Sequence, residues 1–260
     1  MARPRRGLLA LTVSLAVTGA LARIAIVMSC IGTFGAFTLT VQMARHEESP
    51  ALELMPPVTS GALAWSAGMM LAFAAAIQAL KRDRDTGVRA LLRLRGASAS
   101  AYVLARVTGI AVAVAFVLGC GTLSVGIAAF TSAEQAVTAR SAAQATAASL
   151  AYVLAFSATI APLALATLGD RSRAGGYLWL LALVVLPDLF APWTAALVPD
   201  AWGDVVSIPS ALASVRGALM PGAVDVARLA RALAVLATLG AVASLSIVRA
   251  LPREGSEPAT

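Results

Sequence analysis

Charge is scarce in this chain: only 13% of its 260 residues are Asp, Glu, Lys or Arg, while 59% are hydrophobic. A soluble domain of this length cannot bury so much apolar side chain, so a bilayer must be the solvent for much of it. Histidine occurs once, as His46 between Arg45 and Glu47 at the edge of an apolar run. A solvated loop residue is its ordinary reading, and a pH sensor the other. The two cysteines, Cys30 and Cys120, lie inside apolar runs without metal-ligand spacing, which argues against both a metal site and a disulfide framework. Lysine occurs once, as Lys81, and no glycine-rich loop precedes it, so the chain has no phosphate cradle of the G-x-x-x-x-G-K type. Paired Asp, Ser/His or zinc ligands at membrane depth, which an intramembrane protease needs, are also missing. The chain is thus expected to be no enzyme and to carry no cofactor of its own. A repeat of 20–50 residues is absent, and the one low-complexity tract is a short polar tail at 252–260.

What is present is a series of six apolar stretches, at 24–44, 61–80, 107–130, 141–168, 174–197 and 232–248. Each reaches or exceeds the roughly 17 residues that a helix needs to cross a bilayer. Five carry no charged residue, and the fifth in order carries Asp188 alone. Period-two alternation is lacking, so a barrel is excluded. The expectation is an all-α membrane protein with six transmembrane helices. The net charge of +7 would suggest nucleic acid in a soluble protein. Here it reads as topology, with no nucleic-acid partner. With the N-terminus inside, fifteen of the twenty basic residues are cytoplasmic, leaving Arg45, Arg140, Arg216, Arg228 and Arg231 outside. The opposite orientation inverts that ratio, so both termini are predicted to be cytoplasmic.

Residues 1–23 begin with Arg3, Arg5 and Arg6, continue with apolar sequence, and contain Ala20-Leu21-Ala22. Two readings fit: a signal peptide, or an uncleaved interfacial elbow helix that feeds obliquely into the first span. The second is preferred, because apolar sequence resumes straight after Arg23. The first outer loop, 45–60, is acidic and contains Pro56-Pro57. The longest outer piece is 198–231, in which Ile208, Leu212, Val215 and Leu219 recur at helical spacing. Pro209 is placed to start such a helix and Pro221-Gly222 to end it, which predicts a short amphipathic external helix on or dipping into the outer leaflet. Gly119, Gly121 and Gly126 lie within the third span and suggest close helix packing.

The densest positive charge, seven of the twenty basic residues, is at 81–106, KRDRDTGVRALLRLRGASASAYVLAR. It has a bland reading, an anchor to anionic lipid on the cytoplasmic side. A second reading is a partner surface. Arg82, Asp83, Arg84 and Asp85 alternate in sign, Thr86-Gly87 suits a helix end, Arg89 and Arg93 continue the charge, and Val88, Leu91 and Leu92 supply apolar contact.

This passage resembles the stretch after the second span in permeases of the ABC-2 transporter family, where an acidic/basic pair, a Gly-Thr step, a leucine pair and a small-polar turn precede the third span. The passage IPSALASVRGALMPGAVDVARLARALAVLATLGAVASLSIVRALPR is similar to the family's ending. On this resemblance Asp85, Gly87, Leu91 and Leu92 take coupling positions against an ATPase, and Arg82, Asp83, Arg89 and Arg93 flank them. Pro209 and Arg216 take external-helix positions. The order Thr86-Gly87 is reversed, Arg89 stands where an acidic residue is usual, and Gly96-Ala97 replaces the usual proline. The resemblance implies a single permease domain over 1–260 in the cell (inner) membrane, paired with a second permease subunit and with an ABC ATPase subunit. ATP and Mg would be bound by that ATPase, not by this chain. The substrate is not legible.

Asp188 lies between Pro187 and Pro192 in the fifth stretch. A carboxylate there must face protein or water, and it fits either an external bend or a translocation path. An ion-driven secondary transporter and a non-transporting scaffold that recruits a cytoplasmic partner are the rival readings.

Overall fold

Long uncharged runs of Ala, Leu and Val fold as helices in lipid, because a helix satisfies every backbone N–H and C=O within its own segment. The computed structural model describes residues 10, 12–14, 17–45, 52–87, 98–168, 173–222 and 224–250. Among these residues all regular structure is helical. The elements are α1 (Ala20–Arg45), α2 (Met55–Leu63), a π turn (Ala64–Gly68), α3 (Met69–Asp85), α4 (Ala99–Thr131) and α5 (Ala136–Leu168), then α6 (Arg173–Leu189), α7 (Ala191–Ala195), a 3-10 turn (Asp200–Val205), α8 (Ile208–Gly217) and α9 (Val226–Ala250).

Among the described residues, five helices are long and apolar enough to cross a membrane: α1, the continuous run from α2 through the π turn into α3, α4, α5 and α9. The chain is an all-α membrane protein. The expected fifth of six spans is different. α6 stops at Leu189, the chain turns at Phe190, and only the five-residue α7 follows. Pro187 sits inside α6 and Pro192 in the first turn of α7, and neither ring supplies an N–H to carry the helix on. The 17 residues of α6 extend about 25 Å, less than a hydrocarbon core of ~30 Å.

Helix ends depart from the apolar runs where capping decides them. α2 begins at Met55 with Pro56-Pro57 in its first turn, where a missing N–H costs nothing, so the loop expected to reach residue 60 is shorter. α4 begins at Ala99, well before the apolar run, because the Ser98 hydroxyl accepts from the Ala101 N–H at 3.2 Å. α3 closes on Gly87, whose φ of +65° is the left-handed conformation that ends helices. That is the transition Thr86-Gly87 suggested.

α5 is the hub, packed most extensively on α4 and also against α9, α3, α8, α2 and α6. Its central window is 61% buried, against 17% for α1 and 22% for α9. The last two are therefore rim helices that offer apolar faces to lipid, as Ile24, Val27, Ile31 and Phe34 do on α1. Leu71, Ile110, Leu118 and Phe156 fill the centre. At Gly126 any Cβ would collide with Thr146, so glycine permits the close α4–α5 approach. Gly121 makes the same allowance for Thr33 of α1, whereas Gly119 faces open space.

α8 does not lie on a lipid surface. Its face of Ile208, Ala211, Leu212, Ser214 and Val215 is buried, and the helix packs on α5, α6 and α9. The amphipathic pattern was legible, but its apolar side is turned to protein. The residues of 1–23 that are described show a related shift. Thr12 is 1% exposed and fits against Gly109 of α4, so part of the expected interfacial segment sits inside the bundle.

Candidate functional site

α3 and α4 are consecutive antiparallel spans, and the arginine-rich connection joins their ends. Just inside that junction α3 presents Asp83, and α4 presents Tyr102 and Arg106, four residues apart and so on one face. Arg106 Nη2 donates to Asp83 Oδ1 at 2.5 Å, and the Tyr102 hydroxyl donates to Asp83 Oδ2. Arg106 Nη1 donates to the Thr12 hydroxyl at 2.8 Å. The guanidinium also lies 5.6 Å from the Tyr102 ring centroid. The side chains of Arg106 and Asp83 are 0% and 1% exposed. Two charges withdrawn from water this far are tolerable only with close pairing and satisfied lone pairs, and both carboxylate oxygens here are satisfied. Arg106 Nε has no partner among the described residues. The network ties three stretches of chain together: the N-terminal segment, α3 and α4.

The residues expected to meet an ATPase divide in consequence. Asp83 is not displayed to a partner; it is spent inside the bundle on Arg106 and Tyr102. Arg82 and Asp85 belong to the last turn of α3, and Gly87 closes that helix. Arg89, Leu91, Leu92 and Arg93 lie outside the described residues, as do His46 and the tail at 252–260.

A second cluster forms where α8 meets α2 and α5. Ser207 and Ser210 cap α8 reciprocally, with the Ser210 N–H donating to Ser207 Oγ at 3.1 Å and the Ser207 N–H to Ser210 Oγ at 2.9 Å. Pro209 occupies the first turn of this helix, as its position suggested. From its last turn, Arg216 Nη1 donates to the Pro57 carbonyl at 2.6 Å, and its guanidinium lies 5.0 Å from the Tyr152 ring centroid. Tyr152 stacks on Phe156 at 6.5 Å, and Phe156 meets Trp65 edge-on at 5.4 Å. Trp65 belongs to the π turn, a local widening of the helix that recurs at functional positions. Arg216 thus pins α8 across α2 and α5.

Asp188 is exposed near the end of α6 and accepts from the Ser207 hydroxyl at 2.7 Å, joining α6 to the cap of α8. Further along, Arg228 of α9 pairs with Asp204 at 3.1 Å, both of them substantially exposed.

The arrangement is mechanical: buried polar groups lock helices to one another at both ends of the bundle. Sequence reasoning missed Thr12, Tyr102, Tyr152 and Trp65. One signal was available, since opposite charges at the facing ends of consecutive antiparallel spans, Asp83 and Arg106, must lie at similar depth. Nothing in the sequence announced the pairing of Arg216 with Tyr152. No family model, no curated protein and no solved structure matches this chain.

Proposed function

We propose that this chain is the membrane-spanning subunit of an ATP-driven exporter of the ABC-2 type, with both termini and the connection between α3 and α4 in the cytoplasm of a cell whose inner membrane it crosses. Two copies, or this chain and a related one, line a pathway. Two separate ATPase subunits bind ATP and Mg and dock beneath residues 81–106. The reading rests on the resemblance of that stretch to the family's coupling region, on the bias of basic residues to one side, and above all on the buried Asp83–Arg106 pair.

The pair matters because it turns a connection into a lever. A push on residues 88–97 reaches α3 and α4 together, since Arg106 holds their ends in register, and reaches the N-terminal segment through Thr12. A soluble motor needs such a rigid receiver: packed, hydrogen-bonded elements transmit displacement where a loose loop would absorb it. An ion-driven carrier would want an uncompensated carboxylate near midplane. Asp83 is already neutralised by Arg106, and Asp188 is exposed beside a helix break, so neither residue favours that alternative. A scaffold that only recruits a partner would have no use for a lever.

The test uses full-length protein purified with whatever ATPase accompanies it. Reversing Arg89 and Arg93 to Glu, with Leu91 and Leu92 changed to Ala, is expected to strip off the ATPase and leave helix content and elution volume unchanged. Co-purification that never includes an ATPase would end the proposal. So would accessibility of a cysteine at Thr86 to a membrane-impermeant label in intact cells, measured after the exposed Cys30 and Cys120 are changed to Ser.

A further inference from the structure

Between α1 and the second span lies a groove that neither the Asp83 network nor the α8 contacts use. Its volume is about 460 Å³, within the roughly 300–1,000 Å³ of small-molecule sites. The lining runs from Met28 to Leu39 on α1 and from Met55 to Ser66 on the second span. Each wall is about 16 Å long at 1.5 Å per residue, close to one leaflet of a ~30 Å core. No lining residue among the described residues is charged. Gly32, Gly35 and Ala36 keep the α1 wall low, and a Cβ at Gly35 would meet nothing within 4 Å. Ile31 and Val58 on the rims are 67% and 62% exposed, so the groove opens sideways towards lipid.

One atom in it is out of place in hydrocarbon. Thr59 lines the groove, is 4% exposed, and its hydroxyl has no hydrogen-bond partner among the described residues. Many hydroxyls in these helices donate to a carbonyl one turn back, as Thr40 does to Ala36, Ser66 to Ala62 and Thr146 to Ala142; Thr122 on α4 shares the lack of a partner but does not line the groove. A buried donor without an acceptor is costly, so this one is poised for a ligand. Thr59 stands about 6 Å along the helix from Met55, just below the headgroup layer where the ester carbonyls of phospholipids lie. An ester carbonyl accepts a hydrogen bond and donates none, which suits a lone hydroxyl. Arg45, exposed in the last turn of α1, lies about 9 Å beyond Leu39 along that helix and offers a cation at headgroup level.

Chemistry selects the occupant. The trough carries no charge among its described lining residues, opens to lipid along about one leaflet and holds one lone hydroxyl, which fits a hydrocarbon chain tipped by an ester. We propose that the groove holds one acyl chain of an anionic membrane phospholipid, with its ester carbonyl bonded to the Thr59 hydroxyl and its phosphate facing Arg45. This assignment does not depend on the exporter reading.

The experiment places the full chain in lipid nanodiscs of phosphatidylcholine and phosphatidylglycerol doped with phosphatidylglycerol carrying a photoreactive diazirine in mid-chain, and maps the labelled peptides by mass spectrometry. Label is expected to concentrate in residues 28–39 and 55–66. Thr59→Val, which keeps the shape and removes the donor, is expected to lower that label about fivefold, in line with one lost hydrogen bond. Ala62→Phe, from an exposed position on the groove wall, is expected to abolish it. Arg45→Gln should weaken labelling by the phosphatidylglycerol probe and spare that by a phosphatidylcholine probe. Label spread evenly over all exposed apolar faces, including Phe116 on α4, would overturn the proposal. So would groove labelling that ignores Thr59→Val, stronger groove labelling by a photoreactive free fatty acid, or cross-links between α1 helices of two copies. Thr59→Val decides the matter should Ala62→Phe fail to fold.

Discussion

Replacing Asp83 by Asn keeps the side chain's shape and removes its charge, leaving the Arg106 guanidinium without a counter-ion at 0% exposure. The Asn amide still offers one oxygen, but its NH₂ must face either Arg106 Nη2 or the Tyr102 hydroxyl, both of which are donors here. Removing one partner of a buried pair costs about 3–5 kcal/mol, mostly the penalty of the stranded charge. That corresponds to a roughly 150- to 5,000-fold fall in the ratio of folded to unfolded protein. Arg106→Met should fall in the same range, since it strands Asp83 with the Tyr102 hydroxyl alone and also removes the donor to the Thr12 hydroxyl. The double variant Asp83→Asn, Arg106→Met removes both charges, so its loss should be well short of the sum of the singles, because a buried pair is worth little more than an uncharged replacement. The assay is reversible unfolding in mixed micelles titrated with a denaturing detergent, followed by far-ultraviolet circular dichroism. Single variants that each cost under about 1 kcal/mol, or a double variant whose loss equals the sum of the singles, would refute the network's role in holding α3, α4 and the N-terminal segment together.

Other contacts give equally direct expectations. Gly126→Leu drives a side chain into Thr146 and should cost about 1–3 kcal/mol in the same titration, while Gly119→Leu, facing open space, should be close to neutral. Arg216→Met removes the bond to the Pro57 carbonyl and the contact with the Tyr152 ring, a loss of about 2 kcal/mol. It should appear as faster proteolysis within residues 190–225 at unchanged helix content. Ser207→Ala removes the cap of α8 and the donor to Asp188 and should cost about 1 kcal/mol. Asp188→Asn should cost less, because its amide oxygen still accepts from Ser207.

The sequence by itself determined the solvent and the kind of secondary structure. A chain with 59% hydrophobic residues and long uncharged runs can satisfy its backbone in lipid only as helices, and four of the six expected spans appear as long helices that overrun their apolar cores, with α2 through α3 supplying another. Local chemistry was legible as well: Gly87 ends a helix, Pro209 begins one, and Pro187 and Pro192 marked the place where α6 breaks. Tertiary structure alone decided what the polar residues do. Asp83 reads in sequence like its charged neighbours Arg82 and Asp85, and only its position on the inner face of α3, opposite Arg106, withdraws it from the surface. The apolar stripe of α8 fits lipid and protein equally well as a pattern, and the packing of α5, α6 and α9 chose protein. Arg216 finds Pro57 across more than half the chain. Such pairings depend on which faces of distant helices meet. Spacing along a chain fixes the face a residue occupies on its own helix, but not the helix that face will touch.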